Sequence, residues 1–522
     1  MKPLLPLLIA TLFTSASYAA TPANSLVVAI PLDGIISFDP AESFETVSTS
    51  SLVNIYQGLV AADRDHPQQI VPSVAASWAA GSQPHSLRFT LKPSLQFASG
   101  NPLRADDVIY SLSRAVKLNK APVFILGEFG WTAQNIDASL HKINDNEIEI
   151  TWQSDIGRDL ALRLLSAPVA SIVDSKLVSE HQQGGDYGNT WLKNHSAGSA
   201  AYSIQQYVPQ QALLLEKNPH SDIHAKLDHV LLKGVPEASA RRLLLTQGDA
   251  DVAYGLGADQ FAALAHTSGV KVVTFPSTLV YYLGFNAQNP QQPVLANPAF
   301  WQAARWLVDY TALSQQLLKG QFRVHQSFLP TGFDGAIEET PFHLDVAKAQ
   351  QILSKAGIKS GTSFTLTFTN QPPFSDIAQA LQASFAKANI VIKLQPVPEA
   401  ELWGKMRSRQ FDSIFTYWGA DYMDPNTNAS AFAYNVNNGP KTLAWRVGWS
   451  IPQLSQLTQQ AAATSDATQR RALYQQIQTK VTQDSPFVVA LQGAQQVGLR
   501  NNIKGAQQSF GVSMLYFDQI SK

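Results

Sequence analysis

The residues best placed to do chemistry fall in one stretch, Tyr417-Trp418-Gly419-Ala420-Asp421-Tyr422, with Asp424 three positions beyond the acid. Residues 413–416 read as a short strand, so Asp421 lies in a Gly-containing turn at its carboxyl end, where open α/β sheets place their ligands. A carboxylate enclosed away from water holds an ammonium group strongly, because the contact is charge-assisted and weakly screened. Trp418 and Tyr422, with Ala420 between them, could line such a site and stack on flat groups, and Tyr417 is a further candidate. The plainer alternative is that alternate members face a core. Asp424 precedes Pro425, and turn formation suits it better. Arg407, Arg409 and Arg446 flank the acid and could answer an anion, although a lone arginine is more often a surface or ion-pair residue. A second candidate set is Tyr281, Tyr282, Phe285 and Asn286, where the amide of Asn286 could bond a ligand or the whole set could serve packing. Trp131 and Trp403 are weaker candidates.

Catalysis has little to draw on. Gly255-Leu256-Gly257-Ala258-Asp259-Gln260 lacks the third glycine of a dinucleotide loop, and no Gly-x-Ser-x-Gly elbow, phosphate loop or His-Glu-x-x-His helix occurs. Asp249 and Asp251 read as turn chemistry. His220, His224 and His229 look like a metal cluster, but Asn218-Pro219 and the mixed polar spacing put them on a surface segment. No catalytic residue, cofactor or metal is expected, and the chain reads as a binder rather than an enzyme.

The elements that must hold these residues alternate along the chain. With 522 residues and 45% hydrophobic content, at least two domains are expected. Strands are expected at 25–30, 87–91, 147–152, 213–216, 281–286, 364–368, 390–394 and 413–416. Helices are expected through 52–59, from 105, at 238–246, about 300–309, at 347–356 and after the cap Asp466. This is a mixed α/β class, with the second half forming its own parallel-type sheet. Charged residues make up 15% and the net charge is -1, so neither nucleic acid nor an anionic membrane is a natural partner. Met1-Lys2, an apolar stretch to Phe13 and Ser17-Tyr18-Ala19 form a signal-peptide pattern over residues 1–19. No later segment is apolar for long enough to span a membrane. The absence of cysteine excludes disulfides and an N-terminal lipid anchor. A soluble, exported periplasmic monomer follows as the expectation.

Several segments carry a family pattern. Asp39-Pro40-Ala41, Asn54-x-Tyr56-x-Gly58-Leu59, Val71-Pro72-Ser73-x-Ala75-x-Ser77-Trp78 and Phe97-x-x-Gly100-x-Pro102-Leu103-x-Ala105-x-Asp107-Val108 resemble the N-terminal signature of the dipeptide, oligopeptide and nickel binding proteins of ATP-driven importers, family 5. Glu216-x-Asn218-Pro219, Gly248-Asp249-Ala250-Asp251-Val252 and Trp418-Gly419-Ala420-Asp421-Tyr422-x-Asp424-Pro425 continue the match over nearly the whole chain. The resemblance implies a two-lobed periplasmic binding protein (type II, cluster C) with a two-strand hinge and an inserted subdomain. On this chain lobe I would be 20–277 with the insertion at about 46–190, lobe II 278–487, and 488–522 a return to lobe I. It implies that Asp421 receives the α-amino group of a di- or oligopeptide, and that the partner is an inner-membrane ABC permease. The arginine that clamps the carboxyl end in dipeptide-binding relatives has no counterpart in Asn370-Gln371-Pro372-Pro373-Phe374. A nickel or other metal chelate, or an opine-like conjugate, remains an alternative cargo.

Overall fold

The computed structural model describes residues 21–508 and 514–522. The leader expected at 1–19 lies outside the described residues. β-rich runs form one 11-stranded sheet. Its order is Val391–Val397, Ser363–Thr369, Ser413–Trp418, Val270–Phe285, Phe487–Arg500, Val252–Ala253, Ser25–Ile30, His229–Gly234, Ala212–Lys217, Tyr202–Val208, with Phe322–Val324 paired onto Phe487–Arg500. A four-stranded sheet (Ala75–Ala80, Ser86–Leu91, Glu147–Thr151, Leu140–Asn144) stands apart from it.

The expected second, separate sheet is therefore a correction: two long antiparallel strands carry one ladder through the molecule. Val270–Pro276 pair with Ala494–Arg500, the register then breaks, and Val280–Gly284 pair with Phe487–Gln492. Pro276 stands at the break, where a residue without an N–H costs the ladder little. The proline hides the continuity, since a strand ending near it and another starting near Tyr281 look like two elements.

The three largest of five apolar clusters among the described residues surround this sheet. One gathers Val280 to Leu491, a second the segment from Ala41 to Ile172, and a third Leu26 to Tyr56 with Val173 to Leu232 and Val497 to Ile520. Two residues cross over: Tyr422 and Ala462, from the half of the chain that builds the first core, pack into the second.

Local signals explain most elements. Asp107 accepts from the Arg104 backbone at 2.8 Å to start Ala105–Leu118, and Asp466 accepts from Gln469 N at 2.8 Å to start Ala467–Asp484. The helix expected through 52–59 lies earlier, at Thr46–Leu52, and 53–59 are not helical. It ends because Asn54 turns to tertiary partners, donating to Leu515 O at 3.1 Å and accepting from Phe517 N at 2.8 Å. Among the described residues no helix is long and apolar enough to cross a membrane.

Candidate functional site

Strand Ser413–Trp418 lies between Ser363–Thr369, parallel to it, and Val270–Phe285, antiparallel. Past Trp418 the chain leaves the sheet over Leu279. A Cβ on Gly419 would stand 2.9 Å from Leu279 Cδ2, so the close passage there requires glycine or a displaced leucine. Two bonds fix the turn: Ala420 N donates to Thr278 Oγ1 at 3.2 Å and Asp421 N to Thr427 Oγ1 at 3.0 Å. Asp424 is committed to structure. It accepts from Asn426 N at 2.8 Å and takes a bidentate contact from Arg470 at 2.7 and 2.9 Å.

This turn forms one wall of a cavity of about 300 Å³, at the lower end of the usual ligand-site range. Trp418, Ala420, Asp421, Tyr422, Tyr417 and Arg446 all line it. The opposite wall comes from distant parts of the chain: Ser43, Phe44, Glu45 and Thr49 around the start of helix Thr46–Leu52, with Arg64 and Tyr516. The ring centroids of Phe44 and Trp418 are 6.5 Å apart across the gap.

Buried polar atoms without partners gather here. Asp421 Oδ2, Trp418 Nε1, Ser43 Oγ and Thr49 Oγ1 are each inaccessible and make no hydrogen bond. Such groups are costly unless something pairs with them, and the four residues that carry them line one cavity from both sides. Burial pushes the Asp421 carboxyl up to about 7, with Arg446 pulling the other way. No ion pair forms with that carboxylate among the described residues. Tyr417 reaches away, its hydroxyl donating to Glu399 Oε1 at 2.9 Å.

Four expected site residues lie elsewhere. Tyr282 is fully buried with its ring against Phe432 and Phe487, and Phe285 is fully buried against Phe300 and Phe364. Asn286 spends its amide on Arg409 O and Phe411 O at 3.0 and 2.9 Å. Arg409 ends helix Glu399–Ser408 in the left-handed region and stacks 3.5 Å over Trp445. The reason is common to Tyr282 and Phe285 on the strand and to Asn286 just past its end. This strand is flanked by neighbours on both edges and packed on both faces, so its aromatic residues serve the core, and only Leu279, near the register break, reaches the cavity.

Ser43, Phe44, Glu45, Thr49, Arg64, Leu279 and Tyr516 line the cavity without a local sequence signal that marks them. Trp131 is core, its indole N–H donating to Thr151 O at 2.9 Å, whereas Trp403 lines the cavity. His220 and His224 are exposed, and no group of three or more His, Cys, Asp or Glu could hold a metal among the described residues.

Comparison with known proteins places this geometry. A family model described as bacterial extracellular solute-binding proteins, family 5 middle, matches residues 69–440. The chain is 28% identical over 509 residues to the probable D,D-dipeptide-binding periplasmic protein DdpA of Escherichia coli (strain K12), covering 96% of this chain and 95% of that one. Among solved structures it is similar to the periplasmic binding protein DppA of Helicobacter pylori in complex with the peptide STSA, at TM-score 0.82 and 22% identity, covering 95% of this chain and 98% of that one. It is also similar to AgaA of A.tumefacien R10 in complex with agropinic acid, at TM-score 0.79 and 19% identity, covering 95% and 98%.

Proposed function

Because the chain belongs to the bacterial extracellular solute-binding proteins of family 5, we propose that it captures a short peptide or a similar amine-bearing solute in the cavity beside Asp421 and delivers it to an ABC permease. It is a binding protein, not an enzyme. The observation that carries the reading is the unpaired carboxylate of Asp421, with Oδ2 buried and partnerless at a cavity walled from both halves of the fold. An ammonium group supplies both the charge and the donors that this carboxylate lacks. The phenyl and indole faces of Phe44 and Trp418 hold the flat parts of the ligand. The D,D-dipeptide named for the E. coli relative and the peptide STSA named for the H. pylori structure support a peptide-like cargo.

The register break between Pro276 and Val280, opposite Ala494 and Gln492, supports a hinge at that point. The two bodies, with an insertion over about 46–190, close around the ligand there, and the ligand shifts the population toward the closed form. The protein works as an exported periplasmic monomer.

Calorimetric titration with free dipeptides and their N-acetylated counterparts tests the assignment. Wild-type protein binds the free amines, and acetylation or Asp421→Asn costs at least about 30-fold, the scale of losing one buried charged contact. Equal binding of amine and acetylated ligand would refute the ammonium role.

A further inference from the structure

Three arginines line the cavity, and two of them are already answered. Arg64 meets Asp518 at 3.0 Å and lies 3.8 Å over the Tyr516 ring. Arg407 reaches Glu45 at 3.7 Å across the gap. Arg446 has no carboxylate within ion-pair range among the described residues, and its one hydrogen bond there is from Nε to Lys441 O at 3.1 Å. The terminal nitrogens of its guanidinium are left for something else.

Its setting makes that cation expensive to leave alone. Arg446 closes the short helix Leu443–Arg446, anchored by Thr442, whose side chain accepts from Trp445 N at 3.3 Å. Trp445 is itself covered by the Arg409 guanidinium at 3.5 Å, so the turn presenting Arg446 is held from behind. Burial and the nearby positive charge of Arg407 both disfavour its charged form, while Asp421 favours it. Asp421 and Arg446 thus face one cavity with opposite charges, each within the other's field, yet without closing into a pair. Two half-buried charges that do not pair with each other are stabilised when one body satisfies both.

We propose that Arg446 is the carboxylate-reading residue of the cavity, so that the ligand is a short zwitterion with its anionic end on Arg446 and its ammonium on Asp421. The inference rests on the amine-binding reading of Asp421 given above. A guanidinium takes a carboxylate in a planar two-bond contact, which a lysine cannot reproduce. Both charged readers belong to the half of the chain that builds the core from Val280 to Leu491, so the distance between the ligand's charges is set by one packed body rather than by how far the gap closes. A long peptide with remote ends would leave one of the two unanswered.

The test is capture by the purified full-length mature protein from three equimolar mixtures of di-, tri- and tetrapeptides, read by mass spectrometry of the retained fraction: free peptides, C-terminal amides, and N-acetyl peptides with free carboxylates. The expected result is retention of free dipeptides, at least 30-fold depletion of amides, and loss of acid-over-amide preference to within about twofold in Arg446→Ala. Arg446→Lys keeps the charge and recovers only part of the preference, and it serves as the control if the alanine variant folds poorly. Equal retention of free and amidated peptides by the wild type would overturn the inference and leave the ammonium assignment standing. Retention of N-acetyl acids with loss of amides would uphold Arg446 and overturn the ammonium assignment. Retention of none of the mixtures would overturn both.

Discussion

Arg163 donates to the backbone carbonyl of Met423 at 2.8 Å, and its Nε lies 3.5 Å from Asp424 Oδ2. The arginine stands on helix Arg158–Leu165, which packs into the core from Ala41 to Ile172, whereas Met423 belongs to the turn that carries Asp421. The same turn sends Tyr422 into that core.

This contact predicts a residue that governs affinity without touching ligand. Arg163→Ala removes the charge-assisted bond to Met423 O together with the ion contact to Asp424, worth about 1.5 kcal/mol or more, so ligand should dissociate about tenfold faster with little change in association. Asp424 keeps its bidentate contact with Arg470 at 2.7 and 2.9 Å, so the turn stays folded. Stopped-flow measurement with a bound dipeptide checks this. Unchanged dissociation would mean that the contact contributes nothing to closure.

What the sequence displayed and what it hid follow from physical scale. That Trp418 to Asp421 share one turn, which the structure sets on the cavity, could be read because a strand, a glycine turn and an acid lie within a few residues of one another. Asp424 was readable as structural from Pro425. Tyr282, Phe285 and Asn286 were misassigned because alternation along a strand cannot say whether either face is open, and helices cover both faces here. Ser43, Phe44 and Thr49 meet Trp418 and Asp421 from some 370 positions earlier in the chain, and no local pattern encodes that meeting. The continuity of strand Val270–Phe285 was missed because Pro276 interrupts the signal while the strand continues past it.

Binding should depend on pH through Asp421, whose carboxyl burial raises to about 7. An ammonium ligand needs the ionised form, so the apparent Kd should rise about tenfold between pH 8 and pH 6, and binding at pH 7 should expel protons. Calorimetry in buffers of different ionisation enthalpy counts those protons. Asp421→Asn should bind weakly and without this dependence. A flat pH profile in the wild type would show that the carboxylate does not meet the charge.

The ligand-free protein should move the opposite way. Asp421 and Glu128 are both raised to about 7 by burial, above their unfolded values, so the folded chain holds more protons than the unfolded one and stability rises as pH falls through that region. His325, lowered by burial to about 4, opposes this only below its ordinary value near 6.5. Between pH 8 and 6.5 the Tm of the apo protein should therefore increase, and Asp421→Asn combined with Glu128→Gln should abolish the trend. Scanning calorimetry at the two pH values decides it.

Asp39 and Arg114 should be matched in stability rather than function. Arg114 grips both carboxylate oxygens at 2.8 and 2.7 Å, and Asn189 adds a third bond at 2.7 Å, with Asp39 and Arg114 almost wholly buried. Arg114→Met strands a buried carboxylate and should cost about 3–5 kcal/mol. Urea unfolding measures it, and a cost under about 1 kcal/mol would contradict the buried pairing.

Gly419 tests the shape of the cavity separately from its charges. A Cβ there would stand 2.9 Å from Leu279 Cδ2, and both residues line the cavity. Leu279 is a flexible side chain beside open space, so the clash with a larger residue is relieved by turning it inward rather than by moving the strand. Gly419→Val should therefore spend about 1–3 kcal/mol of overpacking mainly on the ligand's volume. Affinity for a dipeptide should fall tenfold or more, while the apo Tm shifts by only a few degrees. Adding Leu279→Ala to that variant should restore most of the affinity, since it returns the space the valine displaces. Continued weak binding in the double variant would place the loss in the turn's backbone, and the Asp421 position would then be what the glycine protects.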